Sequence, residues 1–173
     1  MLGLLTPAVV GSLLLATLST IADYVWFLDI PQHQVVSGMI HGASLFAALG
    51  AYLGWRKGKP GAGALGGLVS GTVAALTFYA LAPLGGYSMM LVSWLLLWIM
   101  LAAVQTCLDG RPGIARAIGR GTITSIVAAM GCGVVLFQLY RDWPPPAFPV
   151  FTHFIAWAMA YLPGLYVLLR RQP

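Results

Sequence analysis

Three ionisable residues, Asp23, His41 and His153, occur within long apolar stretches of the sequence. Side-chain oxygen and nitrogen atoms of this kind can bind a metal ion, and two histidines can hold haem between helices. No two of the three are close in sequence, and the chain contains no His-x-x-x-His pair. We therefore predict no cofactor, and a metal or haem centre on His41 and His153 remains the alternative.

Patterns typical of catalytic sites are missing from the sequence. We find no nucleophile-and-base motif, no Gly-rich phosphate loop and no paired carboxylates. Cys107 and Cys132 give neither zinc-ligand spacing nor a disulfide framework, and they suit small packing residues. The sequence therefore does not indicate an enzyme.

Composition indicates a membrane protein. Of the 173 residues, 60% are hydrophobic and only 8% are charged, and the mean hydropathy is +0.88. Soluble domains carry roughly a quarter charged residues. We predict a multi-pass protein of the cell membrane, and we attribute the net charge of +5 to membrane topology, so no nucleic-acid partner is expected.

Apolar stretches long enough to cross about 30 Å of hydrocarbon occur six times. Proline, or glycine with charge, separates most of them, as at Pro31, Gly58-Lys59-Pro60 and Pro144-Pro145-Pro146. We predict one all-α domain over 1–173, a bundle of six transmembrane helices with short loops. The predicted spans are about 5–27, 35–55, 62–84, 88–108, 117–140 and 147–169.

The basic residues predict the orientation, because Lys and Arg are retained on the cytoplasmic side of short loops. If both termini are cytoplasmic, eight of the nine bases lie on that side and only Arg141 lies on the other. We therefore predict that both termini are cytoplasmic.

Polar side chains form stripes on the first two predicted helices. Thr20, Asp23 and Tyr24 share one face of span one, and Ser37, His41 and Ser44 share a face of span two. His153 and Gln138 reach a similar depth from spans six and five. Because polar groups are costly in lipid, we expect these faces to line a cavity, with Asp23 accepting a hydrogen bond from a neighbouring helix.

Three glycines on span three, Gly63, Gly67 and Gly71, lie one turn apart on one helix face. Such rows let two helix backbones approach closely. The row predicts a packing face, either within the bundle or between copies of the chain.

Two short motifs resemble the Insig (insulin-induced gene) family: 100-MLAAVQTCLDGRPG-113 at the inner end of span four and 136-LFQLYRDW-143 at the end of span five. In that family six helices surround a lipid-accessible cavity. Animal members bind oxysterols and the sterol-sensing domain of their partners. Prokaryotic relatives resemble lipid-binding proteins that associate as trimers.

The resemblance implies several further expectations. Asp109 matches the cytoplasmic aspartate after span four, and the family's polar residue near the outer start of that span falls at Val92 or Ser93. Thr77-Phe78-Tyr79 stands where animal members have sterol-pocket residues that are not matched here, which favours a prokaryotic-type relative. The implied ligand is a membrane lipid such as diacylglycerol or another sterol-like amphiphile, and the implied assembly is a homo-oligomer such as a trimer.

We therefore predict a lipid-binding membrane protein, with a metal- or haem-dependent oxidoreductase on the outer face and a small transporter as alternatives. The predicted ligand-binding residues are Asp23, His41, Ser44, Tyr79, Ser93, Gln138 and His153.

Overall fold

A computed structural model describes residues 2–28, 34–110, 114–139 and 149–169. Within these ranges the chain is helical and contains no strand. The elements are α1 (Leu2–Leu28), α2 (Gln34–Trp55), α3 (Pro60–Gly85), a short 3-10 helix (Gly86–Met89), α4 (Met90–Leu108), α5 (Ile114–Leu139) and α6 (Val150–Leu169).

Within the described ranges, four segments are long and apolar enough to cross a membrane. The third is 49 residues long and covers α3, the 3-10 helix and α4. On α5, the apolar part within the described residues is the shorter Gly121–Gly131. The helical fold class is thus confirmed, and these segments are candidates for membrane spans. Six crossings, the cell-membrane location and cytoplasmic termini stay predictions.

The turn between α2 and α3 shows why these helices end where they do. The amides of Lys57 and Lys59 both bond to the Gly54 carbonyl oxygen, at 2.9 and 2.8 Å, which closes the last turn of α2. Gly58 has φ 69°, a left-handed conformation that glycine adopts without a steric penalty. Pro60 then begins α3, where its missing N–H costs no helical hydrogen bond. Sequence and structure therefore agree on a tight reversal here.

The helices pack in chain order, and α6 returns against α1 to close the bundle. The contact between α2 and α3 is the most extensive of the neighbouring pairs, and the contact between α1 and α2 is the least extensive. The α1–α2 boundary is therefore the loosest seam of the bundle.

The α2–α3 contact brings two helix backbones together. A Cβ atom added to Gly67 would overlap the carbonyl oxygen of Phe46 and come within 3.0 Å of the Gly50 Cα. One turn away on either side, Gly63 meets Gly50 and Gly54, and Gly71 meets the Gly42 carbonyl oxygen. The predicted glycine row thus packs within the bundle, against a complementary row on α2.

An ion pair joins two elements at the end of the bundle that carries the α2–α3 turn. Lys57 Nζ lies 2.6 Å from Asp109 Oδ1, directly after α4. Lys59 Nζ donates to the Leu108 carbonyl oxygen at 3.3 Å, and this oxygen is one of the unpaired acceptors at the end of α4. Asp109 therefore fixes the α2–α3 turn to the end of α4.

Candidate ligand-binding cavity

A cavity of about 490 Å³ lies between α1, α2, α3, α4 and α6. Its wall is mostly apolar and aromatic, with a few polar side chains. Apart from Tyr161, whose hydroxyl pairs with Ser19, the polar side chains are Asp23, Ser37, His41, Tyr79, Tyr87 and Ser93.

These polar residues share one end of the bundle. Asp23 is five residues from the end of α1, about 7.5 Å at the helical rise, and His41 is seven residues after the start of α2. Tyr79 lies near the end of α3, and Ser93 near the start of α4. The polar part of the cavity is therefore far from the end that holds Lys57 and Asp109.

Asp23 is buried and receives two hydrogen bonds from α6. Its Oδ2 accepts from Trp157 Nε1 at 2.7 Å and from His153 Nδ1 at 2.9 Å. His153 and Trp157 are four residues apart, so they lie on one face of α6. The expectation that Asp23 accepts a hydrogen bond from a neighbouring helix is confirmed.

Two further hydrogen bonds hold α1 to α6. Ser19 Oγ lies 2.9 Å from the Tyr161 hydroxyl oxygen, and Ser12 Oγ donates to the Ala158 carbonyl oxygen at 2.6 Å. Because the surroundings are apolar, each bond satisfies polar atoms that would otherwise be costly to bury. The wall that carries Asp23 is thus a rigid pair of helices.

His41 differs from Asp23 in its bonding. Its Nε2 atom is buried and has no hydrogen-bond partner among the residues that the structure describes. Trp94 Nε1, on α4, is likewise buried and has no hydrogen-bond partner among the described residues. Unsatisfied polar atoms in apolar surroundings carry a free-energy cost. The cavity wall therefore contains a ring nitrogen and an indole N–H without a hydrogen-bond partner within the described ranges.

The side chains do not form a metal site in the described part of the chain. It contains no group of three or more His, Cys, Asp or Glu side chains placed to hold a metal ion. His153 is completely buried, and its Nδ1 is bonded to Asp23. His153 therefore positions the carboxylate of Asp23.

Aromatic rings form two groups on the cavity wall. On α4 and α6, Trp94 lies 6.1 Å from Trp157 and 5.3 Å from Tyr161, measured between ring centroids. On α3 and the 3-10 helix, Phe78 stacks on Tyr87 at 6.4 Å. None of the described lining residues is Lys or Arg, and Asp23 is the one acidic side chain among them.

The cavity reaches the outside of the bundle between α1 and α2. Ile21 on α1 and Ile40 on α2 both line it, and they are 55% and 62% exposed. Leu18 and Val25 on α1 also line the cavity and are exposed. The opening follows the loosely packed α1–α2 boundary and is bordered by aliphatic side chains.

The predicted site residues divide into four groups. Asp23, His41, Tyr79 and Ser93 line the cavity, and His153 supports Asp23 from behind. The prediction for Ser44 is not supported, because its position on α2 leaves it exposed and outside the lining. The Gln138 side chain lies outside the described residues.

Sequence reasoning missed Trp157, Trp94 and Tyr87 as wall residues. Trp157 carried a usable signal, since it lies one helical turn after His153 on the same face. Trp94 and Tyr87 carried none, because aromatic residues near span ends usually belong to the interface.

Comparisons with protein-family models, curated proteins and solved structures gave no match.

Proposed function

We propose that this protein binds an amphiphilic membrane lipid in the cavity, with the polar head group beside Asp23 and His41 and the apolar chain in the opening between α1 and α2. The observation that carries the proposal is that one cavity has polar side chains inside and aliphatic side chains around its opening to the exterior of the bundle. The volume of about 490 Å³ lies within the roughly 300–1,000 Å³ typical of ligand sites.

The lining favours a head group without a phosphate. Phosphate recognition in proteins uses Arg, Lys or helix N-terminal amides, and the described lining contains no Lys or Arg. The carboxylate of Asp23 would also repel an anion. A hydroxyl-bearing head group such as that of diacylglycerol meets these conditions, because it can donate to Asp23 or to His41.

The proposal includes a membrane topology with six crossings and both termini in the cytoplasm. The distribution of bases supports it, because this topology places eight of the nine Lys and Arg residues on the cytoplasmic side. In a variant without Cys107 and Cys132, cysteines introduced at Lys57 and at Ser88 should react with impermeant reagents from opposite sides. Reaction from the same side would exclude this topology.

We also propose, from the resemblance to the Insig family, that copies of the chain associate, as prokaryotic relatives do in trimers. The exposed aliphatic surface of the helices is compatible with contact to lipid or to another copy. Mass measurement of the detergent-solubilised protein tests this, and a monomer at all concentrations would contradict it.

Filling the cavity should remove the bound lipid. Ala22 lines the cavity from α1, so Ala22→Phe places a ring in the space proposed for the ligand. Ala48→Phe is the matched control, because Ala48 is exposed on α2 and does not line the cavity. We expect mass spectrometry of the purified proteins to find a lipid retained by wild type and Ala48→Phe and depleted by about tenfold or more in Ala22→Phe. Equal retention in all three would contradict the proposed site.

A further inference from the structure

We infer that the cavity also accepts lipophilic organic cations, that is, protonated or quaternary amines carrying one alkyl chain. This inference rests on the proposed function, since it assigns a class of head group to the same cavity. It depends on the charge of the wall and on the positions of its aromatic rings.

The first observation is the electrostatic character of the cavity. Asp23 is the one acidic side chain among the described lining residues, and no Lys or Arg accompanies it there. Its Oδ2 accepts N–H hydrogen bonds from Trp157 and His153, which hold the carboxyl group in place. A carboxylate in a low-dielectric wall attracts a cation far more strongly than it would in water.

The second observation is the ring cluster beside this carboxylate. Trp157 donates to Asp23 and is stacked on Tyr161 with centroids 5.6 Å apart, and Trp94 lies against both rings. All three rings line the cavity. A cation within about 6 Å of an aromatic centroid is attracted by the ring quadrupole, most strongly by tryptophan.

The two observations reinforce each other because the Trp157 indole joins them. Its N–H is bonded to the carboxylate at 2.7 Å, so the carboxylate and the Trp94–Trp157–Tyr161 cluster adjoin each other on the cavity wall. On the α3 wall, Phe78 and Tyr87 add a second stacked pair. An ammonium group with an alkyl chain would place its charge in this aromatic pocket and its chain between Ile21 and Ile40. A sulfate or phosphate head group would meet the same carboxylate and faces of negative potential.

The test compares head groups on one chain length. Octyltrimethylammonium and octyl sulfate are titrated into the protein in dodecyl maltoside, and binding is followed by tryptophan emission, since Trp94 and Trp157 line the cavity. We expect the cation to bind at least about tenfold more tightly than the anion. Trp55→Phe should keep the signal, because Trp55 is exposed at the other end of the bundle.

Two matched variants locate the charge that matters. Asp23→Asn should weaken octyltrimethylammonium binding by at least about tenfold. Asp109→Asn makes the same change of charge outside the cavity, so this variant should bind octyltrimethylammonium as wild type does. It also serves as the reference for partitioning of the cation into micelles.

Octylphosphocholine adds a phosphate to the same ammonium group and chain length. We expect it to bind more weakly than octyltrimethylammonium, because its phosphate would meet the Asp23 carboxylate. That result assigns the site to a free amine, and equally tight binding, as for a choline lipid, would contradict the proposed exclusion of phosphate. Equal affinity for cation and anion, or unchanged cation binding in Asp23→Asn, would overturn the inference. Retention of a neutral lipid in the same preparations would then leave the proposed function intact.

Discussion

Gly67→Leu is expected to disrupt the packing of α2 against α3. A leucine side chain at this position starts at a Cβ that overlaps the Phe46 carbonyl oxygen, which belongs to helix backbone and cannot move aside as a side-chain tip can. Overpacking typically costs about 1–3 kcal/mol, and we expect this variant at or above the upper limit because both neighbours are backbone. Unfolding by a denaturing detergent should therefore begin at a clearly lower concentration than for wild type.

Gly61→Leu provides the matched control on the same helix. Gly61 is exposed, and no atom lies within 4 Å of the position that its Cβ would occupy. This variant should retain wild-type stability, since it adds the same side chain without a collision. If Gly67→Leu and Gly61→Leu were equally stable, the backbone contact between α2 and α3 would be wrong.

Asp23→Leu is expected to cause the second large loss of stability. The substitution removes the acceptor shared by His153 Nδ1 and Trp157 Nε1 and leaves both donors buried. Each unsatisfied buried donor costs about 1–3 kcal/mol, and two donors lose their acceptor here. We therefore expect a loss of about 3 kcal/mol or more in the free energy of unfolding.

Asp23→Asn removes the charge but keeps the size of the side chain and a hydrogen-bond acceptor. Its side-chain carbonyl oxygen can still accept from α6, so most of the stability lost in Asp23→Leu should return. Both variants are compared with wild type by the same detergent unfolding measurement. A leucine variant as stable as the asparagine variant would show that the two α6 donors do not depend on Asp23.

The sequence predicted the elements of this fold better than their arrangement. Long apolar runs with Pro and Gly interruptions located the helices to within a few residues, because crossing a membrane imposes both length and composition. The row at Gly63, Gly67 and Gly71 predicted a packing face but did not identify its partner. The complementary glycines on α2 were visible in the sequence, and only the structure pairs the two rows.

The candidate site was predictable only in part. Asp23, His41 and His153 were recognisable because ionisable residues within an apolar run are unusual. Which of them would face a cavity depended on helix order and rotation, which a single sequence does not determine. Tryptophan and tyrosine near span ends have two common roles, so the cavity role of Trp94 and Tyr87 required the structure.

The most direct test of the central claim is photolabelling by a lipid that carries a diazirine in its acyl chain. The purified protein is irradiated with a photoreactive diacylglycerol, and labelled residues are identified by peptide mass spectrometry. Binding in the cavity predicts saturable labelling at the opening, around Ile21 and Ile40, which excess unlabelled diacylglycerol reduces and Ala22→Phe abolishes. Labelling confined to exposed residues elsewhere, such as Leu65 or Met130, with no competition by unlabelled lipid, would contradict the account.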